Sequence, residues 1–224
     1  MTVAICISSG HGKHVQGASG IINEVNEARR VVDALAVELR NRGVDVMTFH
    51  DNTSTSQSTN LNTIVNWHNS KSRDLDISVH FNAFEQTDGP RGTEVLYLTQ
   101  QKLAANLSLS MSDAAGFINR GAKKRTDLKF LNSTAMPAVL LEVCFVDSET
   151  DCGLYDEGFE AIVDALSFVL SGREGDGETA PELPETASLP AEALTFSKFK
   201  SVSTIPPCTA TLPARSITTA CVAR

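Results

Sequence analysis

The sequence predicts an α/β domain. Short apolar, β-branched runs alternate with longer segments of helical periodicity, the alternation continues to about residue 171, and turn chemistry separates the segments. Val3–Ser8 is a near-continuous apolar strand. Asn26–Arg42 follows as a helix, with Val31, Val32, Leu35 and Leu39 on one face and Gly43 at its C′ position. Val44–Phe49 is the next strand, and the polar stretch from Asp51 to Asn60 leads into a helix through Ile64, Val65 and Trp67. Asp76–Phe81 reads as a central strand. Asp88-Gly89-Pro90 marks a turn, Thr93–Leu98 a further strand and Leu103–Phe117 a helix. Ala138–Phe145 is the strongest late strand, and Phe159–Leu170 a closing amphipathic helix that Ser171-Gly172 ends.

One compact domain is therefore expected over residues 1–172. Residues 173–193 are acidic and rich in Pro, Gly and Thr, a composition that buries too little apolar surface to offset its ordering entropy, and they read as a linker. Residues 194–224 read as a tail or a few short strands. A chain of 224 residues, 42% hydrophobic, suits one well-buried domain plus such an appendage. The formal net charge of −8 argues against gripping nucleic acid phosphates or anionic lipid by long-range attraction. No run approaches the roughly 18–20 apolar residues of a membrane span, and the N-terminus lacks a basic, signal-like segment, so synthesis in the cytoplasm without membrane insertion is expected. The five cysteines include no C-x-x-C pair; Cys6 and Cys144, in apolar strands, read as small buried hydrophobes and not as disulfide partners.

Several polar residues stand where such a fold gathers ligands, at the transitions from strand to loop. His11, in Ser9-Gly10-His11-Gly12, directly follows the first strand, and its flanking glycines leave room for an ion beside the imidazole. Glu24 stands at the entrance of the first helix, where a carboxylate also gains from the helix dipole; Glu27 is its rival. His80 ends a strand that is otherwise apolar on both faces, so its ring needs a hydrogen-bond partner or a metal. Two imidazoles and one carboxylate form a ligand set common to hydrolytic zinc sites, with a fourth position left for water. Glu142, inside the apolar run Val139–Val146, needs either a salt-bridge partner or a functional reason. His14, His50 and His68 lie in polar contexts and read as solvent-facing, with His14 the substitute ligand.

These residues add up to a resemblance. The stretches Ser-Gly-His11-Gly, Gly-Ile-Ile-Asn-Glu24, Asp76-Ile-Ser-Val-His80-Phe-Asn-Ala83, Arg91-Gly-Thr-Glu94, Arg120-Gly-Ala-Lys-Lys and Met136-Pro-Ala-Val-Leu-Leu-Glu142-Val-Cys-Phe resemble, in order and separation, the zinc-dependent N-acetylmuramoyl-L-alanine amidases of bacterial cell-wall hydrolases and phage endolysins. Ser8-Ser9 stands where that family usually has Asp-Pro, and Cys144 where a glycine is common. The resemblance implies a single three-layer domain with a twisted, mostly parallel sheet flanked by helices. It implies zinc on His11, Glu24 and His80, Glu142 as the catalytic carboxylate, and peptidoglycan as substrate. Asn82 and Glu94 are candidates to line the substrate groove, whereas Lys123-Lys124-Arg125 reads as a solvated loop. The expected protein is a monomeric endolysin acting at the cell wall after release, with residues 194–224 a candidate wall-binding segment. An autolysin of the same class and a zinc exopeptidase are the enzymatic rivals, and a wall-binding module with a structural zinc is the non-enzymatic one.

Overall fold

The computed structural model describes residues 3–172; the expected linker over 173–193 and tail over 194–224 lie outside the described residues. Strands β1 (Ala4–Ser9), β2 (Asp45–Phe49), β3 (Leu75–Asn82), β4 (Thr93–Tyr97), β5 (Asn119–Lys124) and β6 (Ala138–Phe145) form one sheet in the order β2-β1-β3-β6-β4-β5. Every neighbouring pair is parallel except β4 and β6, which run antiparallel, so the sheet is mixed. Helices α1 (Glu24–Asn41), α3 (Gln101–Ala115) and α5 (Glu149–Ser171) cover one face, while α2 (Gln57–Asn69) and the short α4 (Lys129–Ser133) cover part of the other. Among the described residues no helix is long and apolar enough to cross a membrane.

The α1/α3/α5 face carries the main core. Ile5, Ile7, Ile77, Val79, Val139 and Leu141 from the central strands meet Val31, Leu35 and Leu39 of α1 and Ile162 and Leu166 of α5. Strand β3 is covered on both faces but is not apolar on both, as its sequence had implied: Ile77 and Val79 face the main core, while Asp76, Ser78 and His80 alternate to the opposite face. Helix α1 starts two residues before the expected position, since the Asn23 side chain accepts the Asn26 N–H and makes Asn23 the N-cap. Gly43, at φ 78°, closes it as the pattern predicts.

The opposite face holds a smaller apolar cluster of Ile64, Leu96, Phe130, Leu131, Ala138 and Leu140, and beside it a polar network that ties β1, α2 and β3 together. His68 lies 2.7 Å from Asp76 Oδ1 through Nδ1 and 2.9 Å from Ser8 Oγ through Nε2. Arg73 donates to both Asp76 oxygens, at 2.9 and 2.7 Å. His68 is thus fully buried, not solvent-facing; its partners lie on strands distant in sequence, which its own polar neighbours in α2 conceal. His50 is also partly covered, between Ser9 Oγ at 3.0 Å and Asp33 Oδ1 at 3.1 Å. Ser8, His68 and Asp76 form a hydrogen-bonded chain in the order of a hydrolytic triad, but all three are shut off from substrate. They act as a clamp.

Burial alone would raise the Asp76 carboxyl, but the hydrogen bonds from His68 and Arg73 and their charges hold it below its ordinary value of 3.8. A depressed carboxyl adds stability that is present above the unfolded pKa and is lost as pH falls through the folded one. Asp76→Ala, which strands a buried cation, should cost about 3–5 kcal/mol at pH 7. Denaturant titrations of both proteins should show that gap shrinking once pH drops below the ordinary value; a gap unchanged in acid would mean that Asp76 stabilises through packing alone.

Candidate metal centre

Three of the four expected side chains converge at the C-terminal ends of β1 and β3. His11 stands two residues past β1, Glu24 is the first residue of α1, and His80 projects from β3 on the same side as Asp76 and Ser78, as strand alternation requires. One ligand atom from each of His11, Glu24 and His80 lies within 4.8 Å of the other two. Glu24 Oε1 is the hub: it sits 3.0 Å from His80 Nδ1 and 3.5 Å from His11 Nε2, and it accepts the Phe81 N–H at 3.1 Å. Glu24 Oε2 accepts the Ala18 N–H at 2.5 Å. The rival Glu27 is engaged elsewhere, accepting from Tyr155 Oη at 2.9 Å and from Arg30, and His14 is exposed and outside the cluster.

Two glycines shape the cradle. A Cβ at Gly10 would fall 1.9 Å from His80 Cε1 and Nε2, and one at Gly17 would fall 2.2 Å from Glu24 Oε2 and 2.6 Å from His11 Cδ2. The sequence predicts that Gly10 makes room for an ion beside His11, whereas its nearest neighbour is the His80 ring. Gly17 carries no sequence signal, because its role arises only once Glu24 and His11 have folded against it.

The electrostatics suit a dication. Burial alone would raise the Glu24 carboxyl, but the His80 hydrogen bond and charge, with His11 and the Ala18 amide, hold it below the usual carboxylate value, so it is ionised at neutral pH. Burial pulls the His11 imidazole down towards the neutral form that a ligand needs. Burial also disfavours a protonated His80, yet its bond to Glu24 and the charges of Glu24 and Glu142 hold it above the ordinary histidine value, so a cation must compete with that proton. His11 Nδ1 has no hydrogen-bond partner among the described residues. Two imidazoles and an ionised carboxylate at this spacing fit zinc with a coordination position to spare. A second convergence, Cys6, His68 and Asp76, does not: the Arg73 guanidinium already occupies both carboxylate oxygens of Asp76.

The profile of the N-acetylmuramoyl-L-alanine amidase family matches residues 5–159. The chain belongs to this family. An uncharacterized 38.4 kDa protein of Clostridium perfringens is 31% identical over 186 residues, 81% of this chain and 54% of that protein. The endolysin of Bacillus phage SPP1 is 28% identical over 136 residues, 54% of this chain and 49% of the endolysin. Among solved structures, the catalytic domain of the CD27L endolysin targeting Clostridia Difficile matches with a TM-score of 0.67 at 29% identity, covering 75% of this chain and 96% of that domain. The chain therefore spans about half the length of the two full-length relatives.

In this amidase-family domain the fourth expected residue, Glu142, extends the site along the sheet. His80 pairs in register with Glu142, Glu142 with Glu94, and Glu94 with Gly121, so one row crosses β3, β6, β4 and β5. Burial, with the charges of Glu24 and Glu94 and against those of His80 and Arg125, pushes the Glu142 carboxyl up to about 7. Its Oε2 is buried without a hydrogen-bond partner among the described residues. No salt bridge to Glu142 forms among them either, which removes the structural explanation its sequence position allowed. Glu94 accepts from Asn82 Nδ2 at 3.2 Å and from Arg120 Nε at 2.7 Å, so both residues read as groove-lining stand in this row or beside it. Lys123 and Lys124 are the end of edge strand β5, not a loop.

Proposed function

We propose that this chain hydrolyses the amide joining the lactyl group of N-acetylmuramic acid to L-alanine in peptidoglycan, with zinc held by His11, Glu24 and His80 and Glu142 as general acid and base. The observation that carries this reading is the convergence of those three ligand atoms within 4.8 Å, one strand away from Glu142, in a domain of an amidase family. When bound, zinc supplies a Lewis acid that makes water nucleophilic at neutral pH.

Glu142 does the proton work. A carboxyl near 7 is divided between its acid and base forms at neutral pH, as a group that takes and returns a proton must be. Its unpartnered Oε2 takes the proton of the attacking water and delivers it to the departing nitrogen. The C–N bond then breaks to leave a lactyl carboxylate and a free L-alanine amine. Glu24, anchored by the Phe81 and Ala18 amides, fixes the orientation of the His80 ring.

The likeness to two endolysins supports a lytic role with peptidoglycan as partner, with residues 1–172 as the catalytic unit. Metal analysis of the purified protein, paired with identification of the groups freed from sacculi, tests the reading. About one zinc per chain and new N-terminal alanine amines without new reducing sugars are expected. Release of amino acids from free peptides with intact sacculi would instead make the protein an exopeptidase, and sacculi bound but uncut would leave only a wall-binding role.

A further inference from the structure

The row that starts at His80 does not stop at Glu142. It continues over Glu94 to Gly121 on edge strand β5, where a Cβ would meet nothing within 4 Å, so the surface opens at that end. Neighbouring strands lie about 4.8 Å apart, which puts Gly121 about 10 Å from Glu142, the length of roughly three extended residues. Cations border this open end. Arg120, Lys123, Lys124 and Arg125 follow one another, and among the described residues only Glu94 and Asp127 are salt-bridged to them, in a chain whose overall charge is −8.

Two guanidinium groups stand out. Arg120 lies over the Phe145 ring at 5.0 Å and Arg91 over the same ring at 5.7 Å, while Arg120 Nη1 donates to the Arg91 carbonyl at 3.4 Å. Arg91 is held firmly: its backbone N–H donates to buried Asp151, its Nη2 to the Glu85 carbonyl, and its guanidinium stacks on exposed Phe84 at 4.9 Å. It has no carboxylate partner among the described residues, and its Nε makes no hydrogen bond there. Phe145 pairs in register with Asn82, which places both guanidiniums beside the Asn82–Glu94 contact and not at a remote surface.

We propose that the lane from Glu142 over Glu94 to Gly121 receives the peptide side of the substrate, and that Arg91 and Arg120 recognise a free carboxylate on the second residue of the stem peptide. This inference rests on the amidase reading. The glycan side offers no carboxylate once the lactyl carbonyl is committed to the scissile amide, so a paired-guanidinium site selects the peptide side. Glu94 serves as a positioning residue, accepting from Arg120 Nε at 2.7 Å and so holding that guanidinium beside the lane.

Two soluble muramoyl peptides that differ only in whether the second peptide residue bears a free carboxylate or its amide provide the test. The wild-type protein should cleave the carboxylate form with kcat/KM higher by on the order of tenfold, the scale of one charge-assisted hydrogen-bonded contact. Arg91→Gln should abolish that preference, through a raised KM on the acidic substrate. Arg91→Lys should restore part of it, and Arg120→Gln should also lose it. Thermal melting of each variant separates lost recognition from lost fold. Equal cleavage of both substrates by wild type, or a preference that survives in folded Arg91→Gln and Arg120→Gln, overturns the carboxylate subsite while the amidase reading stands. Cleavage of neither substrate overturns both.

Discussion

Glu142→Gln is expected to bind about one zinc per chain, as is expected of the wild type, and to hydrolyse muramoyl peptides more slowly by on the order of 10²–10⁴-fold. The amide keeps the shape of the side chain but cannot cycle a proton, and the three candidate ligands lie on other elements, in the loop after β1, at the start of α1 and on β3, and are left in place. A loss confined to kcat with metal retained is the signature of a group acting in the transition state; a loss of metal would make Glu142 a ligand instead. Wild-type turnover by a fully metallated Glu142→Gln protein would remove Glu142 from the mechanism.

Gly10→Ala should be nearly as damaging, although it adds one methyl group to a residue that bears no functional side chain. The new Cβ would overlap the His80 ring at 1.9 Å, and the backbone cannot retreat easily because Gly10 N–H donates to the Val79 carbonyl at 2.9 Å. The ring must swing away from Glu24. Displacing a ligand in this way is expected to weaken zinc binding by at least about 10–100-fold, read by competition with a chelator, and to take activity with it. Gly153→Ala in α5 is the matched control, since nothing lies within 4 Å of the added atom and alanine favours a helix. Equal zinc affinity in the Gly10 variant and this control would show that His80 is not held where its contacts place it.

Much of the architecture was legible because it rests on local periodicity. Ala138–Phe145 is found where its apolar run predicts, and β1, β2, β3, α1 and α3 lie within two residues of expectation. The misses share a cause. Strand β5, Asn119–Lys124, contains Arg, Gly and two Lys because an edge strand needs no buried stripe, so it offers no alternation to read. The first half of α5 was missed because Gly153 and Gly158 interrupt the helical pattern; Gly158 is needed where its missing side chain lets α5 approach Ala115 of α3. That β4 runs antiparallel to β6 depends on how the connections pack, which no single segment records.

The candidate site divides in the same way. His11, Glu24, His80 and Glu142 were conspicuous because each is a polar group in a place that otherwise favours apolar or turn residues. Gly17 was not, and Arg91 and Arg120 stood only within stretches that resemble the family, with no role attached, since each acquires its contacts from a neighbour distant in sequence. His68 was misread for that same reason, its partners Ser8 and Asp76 belonging to other strands.

The row from His80 through Glu142 and Glu94 to Gly121 has a consequence for how function appears during refolding. Each member belongs to a different strand, and a slip of one residue in β3, β6 or β4 would carry its side chain through to the opposite surface of the sheet. Partial assembly thus yields no partial catalyst: recovered turnover should lag behind recovered helical signal and arrive together with the last strand to lock, making enzymatic rate a readout of whole-sheet alignment.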